Sequence, residues 1–508
     1  MKINFWLILI LTLALFLRFW NLPELLHFTL DEELEAFIVR NIITGFHYPA
    51  IGVSVAPVGI HLSPVFYYLA AIPFWLGNAN PLIWGVCASM LGVVTTFVIY
   101  WTTTRMFSRR IGLIAALLYA SSFWVVLYDR HFWNVTPMPL ISAVAIFSLY
   151  QLIQGRYKWV IPLSLVLGLG LSSHMSTVSL FVLVGVVWWR DRLVFLNKYT
   201  LIGFMVLFTS QLPLLFFELR HQFSQTDALI KFLNAEKSGL DVNRVWQNLL
   251  LLPQVIARTI YTFGPHDLAR EHVYGGVEIA ARNSRIPVLM LWLSVVILGV
   301  WGWLVKQNFK NHGYKLHSAL ILIGIASLVF YGLLFKGGIY EFYLLILAPS
   351  IVVILAVIVD FIWRKKKFFG LVILGSIVVA NIYATLTSYH SYSFGRKLEI
   401  ISWTEDLIAD RPYTLHSVGV NHKYEGYRYL FDYFYKIPTN SYVDPQLAWL
   451  YPVTDPRSPE LMVVITSNEP DYKEQIMDER NQFVDQLVAE RDFGEINVMI
   501  VTVKNDGI

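Results

Sequence analysis

Apolar runs repeat along this chain at the length that a membrane-crossing helix requires. A span needs about 20 mostly apolar residues, and such runs lie near 3–20, 80–102, 111–128, 136–153, 159–174, 176–189, 199–218, 286–305, 317–335, 341–363 and 368–387. The pattern predicts an all-α polytopic membrane protein with about eleven transmembrane helices. The first run follows Lys2, and Arg18, Phe19 and Trp20 stand where a signal peptide would carry small cleavage-site residues, so it reads as a retained span.

A further segment, 62–77, is apolar but short and holds Pro64 and Pro73. Charge decides its placement. If it does not cross, then Lys2, Arg105, Arg109, Arg110, Arg156, Lys158, Arg190, Arg192, Lys198, Lys306, Lys310, Lys315 and Arg364 to Lys367 all share one face, as the positive-inside rule demands. The segment therefore reads as an interfacial helix on the outer face. The outer loops 21–79 and 219–285 and the tail share that face. Within the second loop, 226–234 and 245–260 have the spacing of amphipathic surface helices, although an ordinary connecting loop fits equally.

The period changes after residue 390. Helical patterns at 397–409, 424–435 and 471–489 alternate with strand-like runs at 413–420, 461–466 and 496–503. The expected organisation is a transmembrane unit, 1–390, and a small extracytoplasmic α/β domain, 391–508.

Composition sharpens the class. The chain has 508 residues, 56% of them hydrophobic and 15% charged, and a mean hydropathy of +0.55, against about a quarter charged in soluble domains. A formal charge of +4, gathered in short clusters between spans, reports topology and excludes a nucleic-acid partner. The one cysteine, Cys87, excludes an intramolecular disulfide and a thiolate metal cluster. No Walker loop, nucleophile elbow, HExxH or CxxC motif is present.

Candidate chemistry collects at the outer face. Asp31 and Glu32 open an amphipathic stretch, with Leu30, Leu34, Phe37, Ile38 and Ile42 at helical spacing. Such carboxylates serve either as a helix cap, worth about 0.3–1 kcal/mol each, or as a general base in a partly desolvated setting. A second group is Asp129, Arg130, His131 and Asn134, a third is Glu218 with Arg220 and His221, and a fourth is Lys336 with Tyr340, Glu341 and Tyr343. Guanidinium and imidazole donors suit a phosphate; interfacial anchoring accounts for the same residues as well. His61 and His174 read first as structural histidines.

These residues resemble a known family. LRFWNLPELLHFTLDEELEA places an Arg at the end of the first span ahead of the acidic pair. The run PVFYYLAAIPFWLGNANPLIWGVCASMLGVVTTFVIYWTTTRMFSRRIGLIAALLYASS, then RHFWN, FFELRHQF and YEFYLLILAP, follow in order over roughly residues 1–390. Together they resemble the GT-C superfamily of membrane glycosyltransferases, in the protein O-mannosyltransferase and lipid A aminoarabinose transferase branch, also described as dolichyl-phosphate-mannose-protein mannosyltransferase-like. The resemblance implies inverting transfer of a sugar from a polyprenyl-phosphate donor to a lipid, glycan or protein acceptor outside the cytoplasmic membrane, with the N-terminus inside. Asp31 matches the catalytic Asp and Glu32 its neighbour. Arg130, Arg220, His221 and Lys336 are the expected donor-phosphate ligands, and His61, Asn134, Tyr340, Glu341 and Tyr343 the expected substrate contacts. Two departures stand out: Leu62-Ser63-Pro64 replaces a Lys-Pro-Pro motif, leaving His61 as a partial substitute for its charge, and Asn134 stands near where aminoarabinose relatives carry an Asp. No metal ligand set is expected and a divalent cofactor has no support in the sequence, which leaves metal dependence open. The rival class is a transporter or flippase for a lipid-linked or anionic solute. Spans nearly free of charge in their middles count against it.

Overall fold

The computed structural model describes residues 5–55, 58–234, 242–262, 265–268, 287–334, 339–417, 426–451, 454–467 and 486–503. Over their described residues the eleven apolar runs are helical, 111–128 as two helices and 341–363 as a 3-10 turn followed by a helix. In chain order the elements are α1 (Phe5–Phe19), α2 (Leu22–Leu25), α3 (Leu30–Thr44), α4 (Val65–Leu76), α5 (Pro81–Met106), α6 (Arg109–Ser121) and α7 (Phe123–Arg130). They continue with α8 (Met138–Ile153), α9 (Val160–Ser173), α10 (Val178–Arg190), α11 (Lys198–Arg220), α12 (Ser224–Asn234) and α13 (Val242–Ile260). The last membrane helices are α14 (Val288–Gln307), α15 (His312–Leu334), α16 (Ala348–Lys365) and α17 (Lys367–Thr387). Six helices are long and apolar enough to cross a membrane, or up to seven if the bent pair α6–α7 is one span, and α1, α8, α9 and α10 are shorter apolar helices.

The expected span 111–128 is broken at Ser122, where α6 and α7 meet at 61°. A kink needs a partner for the backbone groups it frees. Buried Asn381 of α17 supplies it: its Oδ1 accepts from Phe123 N at 2.9 Å, and its Nδ2 donates to Ile260 O (3.1 Å) and Ile377 O (2.9 Å). One amide thus ties the break to the end of α13. The apolar pattern alone carries no trace of the bend.

Arg18, at the end of α1, is fully buried and donates to Asp129 Oδ2 through Nε (2.9 Å) and Nη2 (2.6 Å). Such a pair survives in a low-dielectric interior because geometry and further hydrogen bonds satisfy it, here Arg18 Nη1 to Ala14 O and Ala120 O. Gly92 of α5 makes room for it, since a Cβ there would fall on Arg18 Nε and the Asp129 carboxylate. Gly92→Ala is therefore expected to lower stability by about 3 kcal/mol, read as a lower unfolding temperature of the detergent-solubilised protein. Gly185→Ala, which meets nothing within 4 Å, is the matched control.

The ends of the helices sort onto two faces. At one, Arg110 and Arg364 both pair with Asp360, the latter at 2.8 Å, and Asn311 Nδ2 reaches Met106 O at 3.5 Å. The carboxylates and histidines discussed below lie at the other. Segment 62–77 is the helix α4, which buries Phe66, Tyr67, Ala70 and Phe74 and turns Ile72, Trp75 and Leu76 outward. Both amphipathic stretches of the loop 219–285 are helices, α12 and α13.

The tail holds α18 (Phe394–Ile408), α19 (Tyr427–Phe434) and the short α20 (Asp444–Leu447). The loop 21–79 carries the short antiparallel hairpin β1 (Ser54–Val55) and β2 (Ile60–His61), and the tail's strands β3 (Tyr413–Ser417), β4 (Leu461–Ser467), β5 (Leu487–Phe493) and β6 (Ile496–Thr502) form one sheet in the order β3-β4-β6-β5, parallel at β3–β4 and antiparallel elsewhere. The expected helix 471–489 lies mostly outside the described residues, and its last part is corrected: 487–489 are strand. They pair with β6 across the turn at Gly494, so long-range pairing overrides the local helical pattern. The core of this tail is continuous with the loop 21–79. Phe37 of α3 meets Tyr429 at 5.0 Å and Tyr451 at 4.8 Å, and Phe74 of α4 meets Tyr429 at 6.2 Å.

Candidate active site

The site starts from the first turn of α3. Thr29 is the extended N-cap, and Glu32 at N3 turns back to accept from Thr29 N at 2.7 Å and Thr29 Oγ1 at 3.1 Å, a capping box. Helical geometry then sends successive carboxylates in different directions. Asp31 faces solvent, whereas Glu32, Glu33 and Glu35 are buried. Glu33 accepts from Gly426 N (3.1 Å) and Tyr429 N (2.7 Å), capping α19 of the tail. Glu35 lies one turn below Asp31 and takes a hydrogen bond from the Asn134 backbone.

Burial governs the protonation of these groups. Desolvation, then the charge of Asp31, pushes Glu32 up to about 8. Desolvation first, then Glu32 and Asp31, holds the Glu35 carboxyl well above the usual carboxylate range. Among these neighbours Asp31 alone meets solvent, so it is the carboxylate a substrate hydroxyl can approach.

Opposite it stand the turn after α7, the end of α9 and the 3-10 turn Glu341–Leu347. His131 contacts Glu32 through Nε2 and stacks on Trp133 at 4.4 Å and 21°. Trp133 meets Phe342 edge-on at 4.6 Å, and His174 meets Tyr343 at 4.9 Å. Tyr340 lies in the field of Asp31, which together with burial raises its hydroxyl.

Several of the residues expected to touch substrate engage the protein itself. Arg130 is buried and donates to Leu17 O, Arg18 O and Trp20 O, closing the C-terminus of α1. Asn134 Nδ2 donates to Ser173 O at 2.8 Å. Glu341 accepts from Arg258 Nη1 at 2.6 Å and from Tyr128 OH at 2.8 Å. Arg220 and His221 are exposed at the end of α11, beside Glu218, which accepts from Thr226 Oγ1 at 2.6 Å. His61 N donates to Gln225 Oε1 at 2.6 Å, tying it to α12. Lys336 lies outside the described residues.

Other residues at the site were not singled out by sequence: Glu35, His27, His390, Trp133 and Arg258. Glu35 follows Asp31 by one helical turn and was within reach of the periodicity. His390 was not, because its ring meets His27 Nδ1 at 3.1 Å from 363 residues away.

The fold is similar to that of ArnT from Cupriavidus metallidurans in the apo state, with TM-score 0.61 and 12% identity over 97% of this chain and 97% of that one. It is equally similar to the same protein bound to undecaprenyl phosphate, with TM-score 0.59 and 10% identity over 99% and 98%. The architecture is thus that of ArnT. A family model described as dolichyl-phosphate-mannose-protein mannosyltransferase matches residues 61–217, from the start of α4's segment to the end of α11's apolar run. No curated protein matches the chain by sequence.

Proposed function

We propose that the protein moves a sugar from a polyprenyl-phosphate donor to an acceptor hydroxyl or amine at the extracytoplasmic face of the cytoplasmic membrane, with inversion at the sugar carbon. The observation that carries this reading is the first turn of α3: three consecutive carboxylates, of which Glu32 and Glu33 are buried in structural contacts and Asp31 alone is turned to solvent. Asp31 takes the acceptor proton as the new bond forms at the sugar carbon and the bond to phosphate breaks. The electron pair leaves on the polyprenyl phosphate, which needs cations to meet its charge and no general acid.

Arg220 and His221, exposed at the outer end of α11, and Lys336 are the cations this reading assigns to the phosphate, with Tyr340 and Tyr343 lining the acceptor side. The ArnT structure that holds undecaprenyl phosphate supports a lipid-linked donor. The same reading divides the chain into a membrane unit, 1–390, and an extracytoplasmic α/β unit, 391–508. Purified protein incubated with a panel of polyprenyl-phosphate sugars is expected to consume one of them and release free polyprenyl phosphate. Consumption of none, with label instead crossing a vesicle bilayer, would favour the transporter.

A further inference from the structure

We propose that His27, Glu32 and His131 form a binding site for a divalent transition-metal ion of the zinc class. The three come from separate places: the turn before α3, the first turn of α3 and the turn after α7. Each offers one ligand atom, and these atoms all lie within 4.8 Å of one another. Glu32 and His131 are each 2% exposed, and His27 is half-buried. A carboxylate and imidazoles brought together this deep in the protein need a cation or a closed set of hydrogen bonds.

The donor set selects the ion. Magnesium and calcium take oxygen ligands, whereas two imidazole nitrogens with one carboxylate oxygen suit zinc and its neighbours. Ligand atoms around tetrahedral zinc sit roughly 3.3 Å apart at bond lengths near 2.0–2.1 Å, so small side-chain rotations close the site. Its supports are in place. Thr29 N and Oγ1 hold Glu32 Oε2, leaving Oε1 toward His131 Nε2. Trp133 stacks on the His131 ring, and His390 Nε2 lies 3.1 Å from His27 Nδ1, the kind of partner that orients a metal-bound imidazole. Ligation exchanges the Glu32–His131 hydrogen bond for two metal bonds and releases its proton to solvent.

Such an ion fixes the first turn of α3 to the turn after α7 and, through His390, to the entrance of the tail. It stands beside Asp31 and acts on it by position. The full chain, purified with an affinity tag free of histidine, is expected to hold about one zinc-class ion as measured by elemental mass spectrometry. His27→Ala and His131→Ala are expected to lower that content by about tenfold or more, while His61→Ala keeps it. Cobalt loaded into the wild-type protein is expected to show the visible band of a tetrahedral site, which does not depend on any variant folding. Wild-type protein that takes up neither zinc nor cobalt overturns the proposal and leaves a hydrogen-bond chain from His390 through His27, Thr29 and Glu32 to His131. Because the readout is metal content, a failed transferase assay does not touch it.

Discussion

Asp31→Asn is expected to cut sugar transfer by about 10²–10⁴-fold while leaving the unfolding temperature unchanged. Asn keeps the shape of the side chain and removes the lone pair that takes the acceptor proton. The fold does not depend on that lone pair, because α3 is capped by Thr29 and Glu32 and anchored by Glu33. Release of polyprenyl phosphate from the donor identified by the panel measures the first quantity, and thermal unfolding in detergent the second. Near-normal turnover would remove Asp31 as the base. A collapse of stability would instead make it one more structural carboxylate. Donor affinity is expected to change little, since the base meets the acceptor and not the lipid.

The bundle was legible in sequence because a bilayer imposes a local signal: runs of fixed length, bounded by Lys and Arg on one side. Segment 62–77, expected on charge grounds to be an interfacial helix, holds the short helix α4. What escaped was set by partners distant in the chain. The break at Ser122 depends on Asn381, the strand β5 on its pairing with β6, and the cluster around Glu32 on His27, His131 and His390. The acidic pair shows both sides of this. Capping and chemistry were rival accounts of Asp31 and Glu32, and the helix gives the cap to Glu32 and the solvent-facing position to Asp31. The third carboxylate, Glu33, had no sequence signal at all, since its partners belong to α19, nearly four hundred residues on.

Glu33→Ala is expected to lower stability by about 3 kcal/mol and to loosen the tail. Its fully buried carboxylate takes the Gly426 and Tyr429 amides at the N-terminus of α19, where a helix concentrates positive potential. Removing it leaves two buried donors unsatisfied, each hydrogen bond to a charged group being worth about 1.5–3 kcal/mol. Gly426 itself holds a left-handed backbone, φ +89°, in which a Cβ would meet Phe28 O, so no other residue fits this N-cap. Glu33→Gln keeps one acceptor and is expected to fall between the two. The remaining ties between α3 and the tail, Arg40 to Asp432 at 2.8 Å and Asn41 to Leu450 O at 2.9 Å, limit the damage to partial release. Hydrogen exchange over 427–434 is the local readout, and faster exchange there than in α5 is the expected result. If α3 positions Asp31 and the end of α11 holds the donor, as proposed, the variant also loses kcat more than KM. Unchanged protection of α19 would show that the shared aromatic core, and not Glu33, holds the tail to α3.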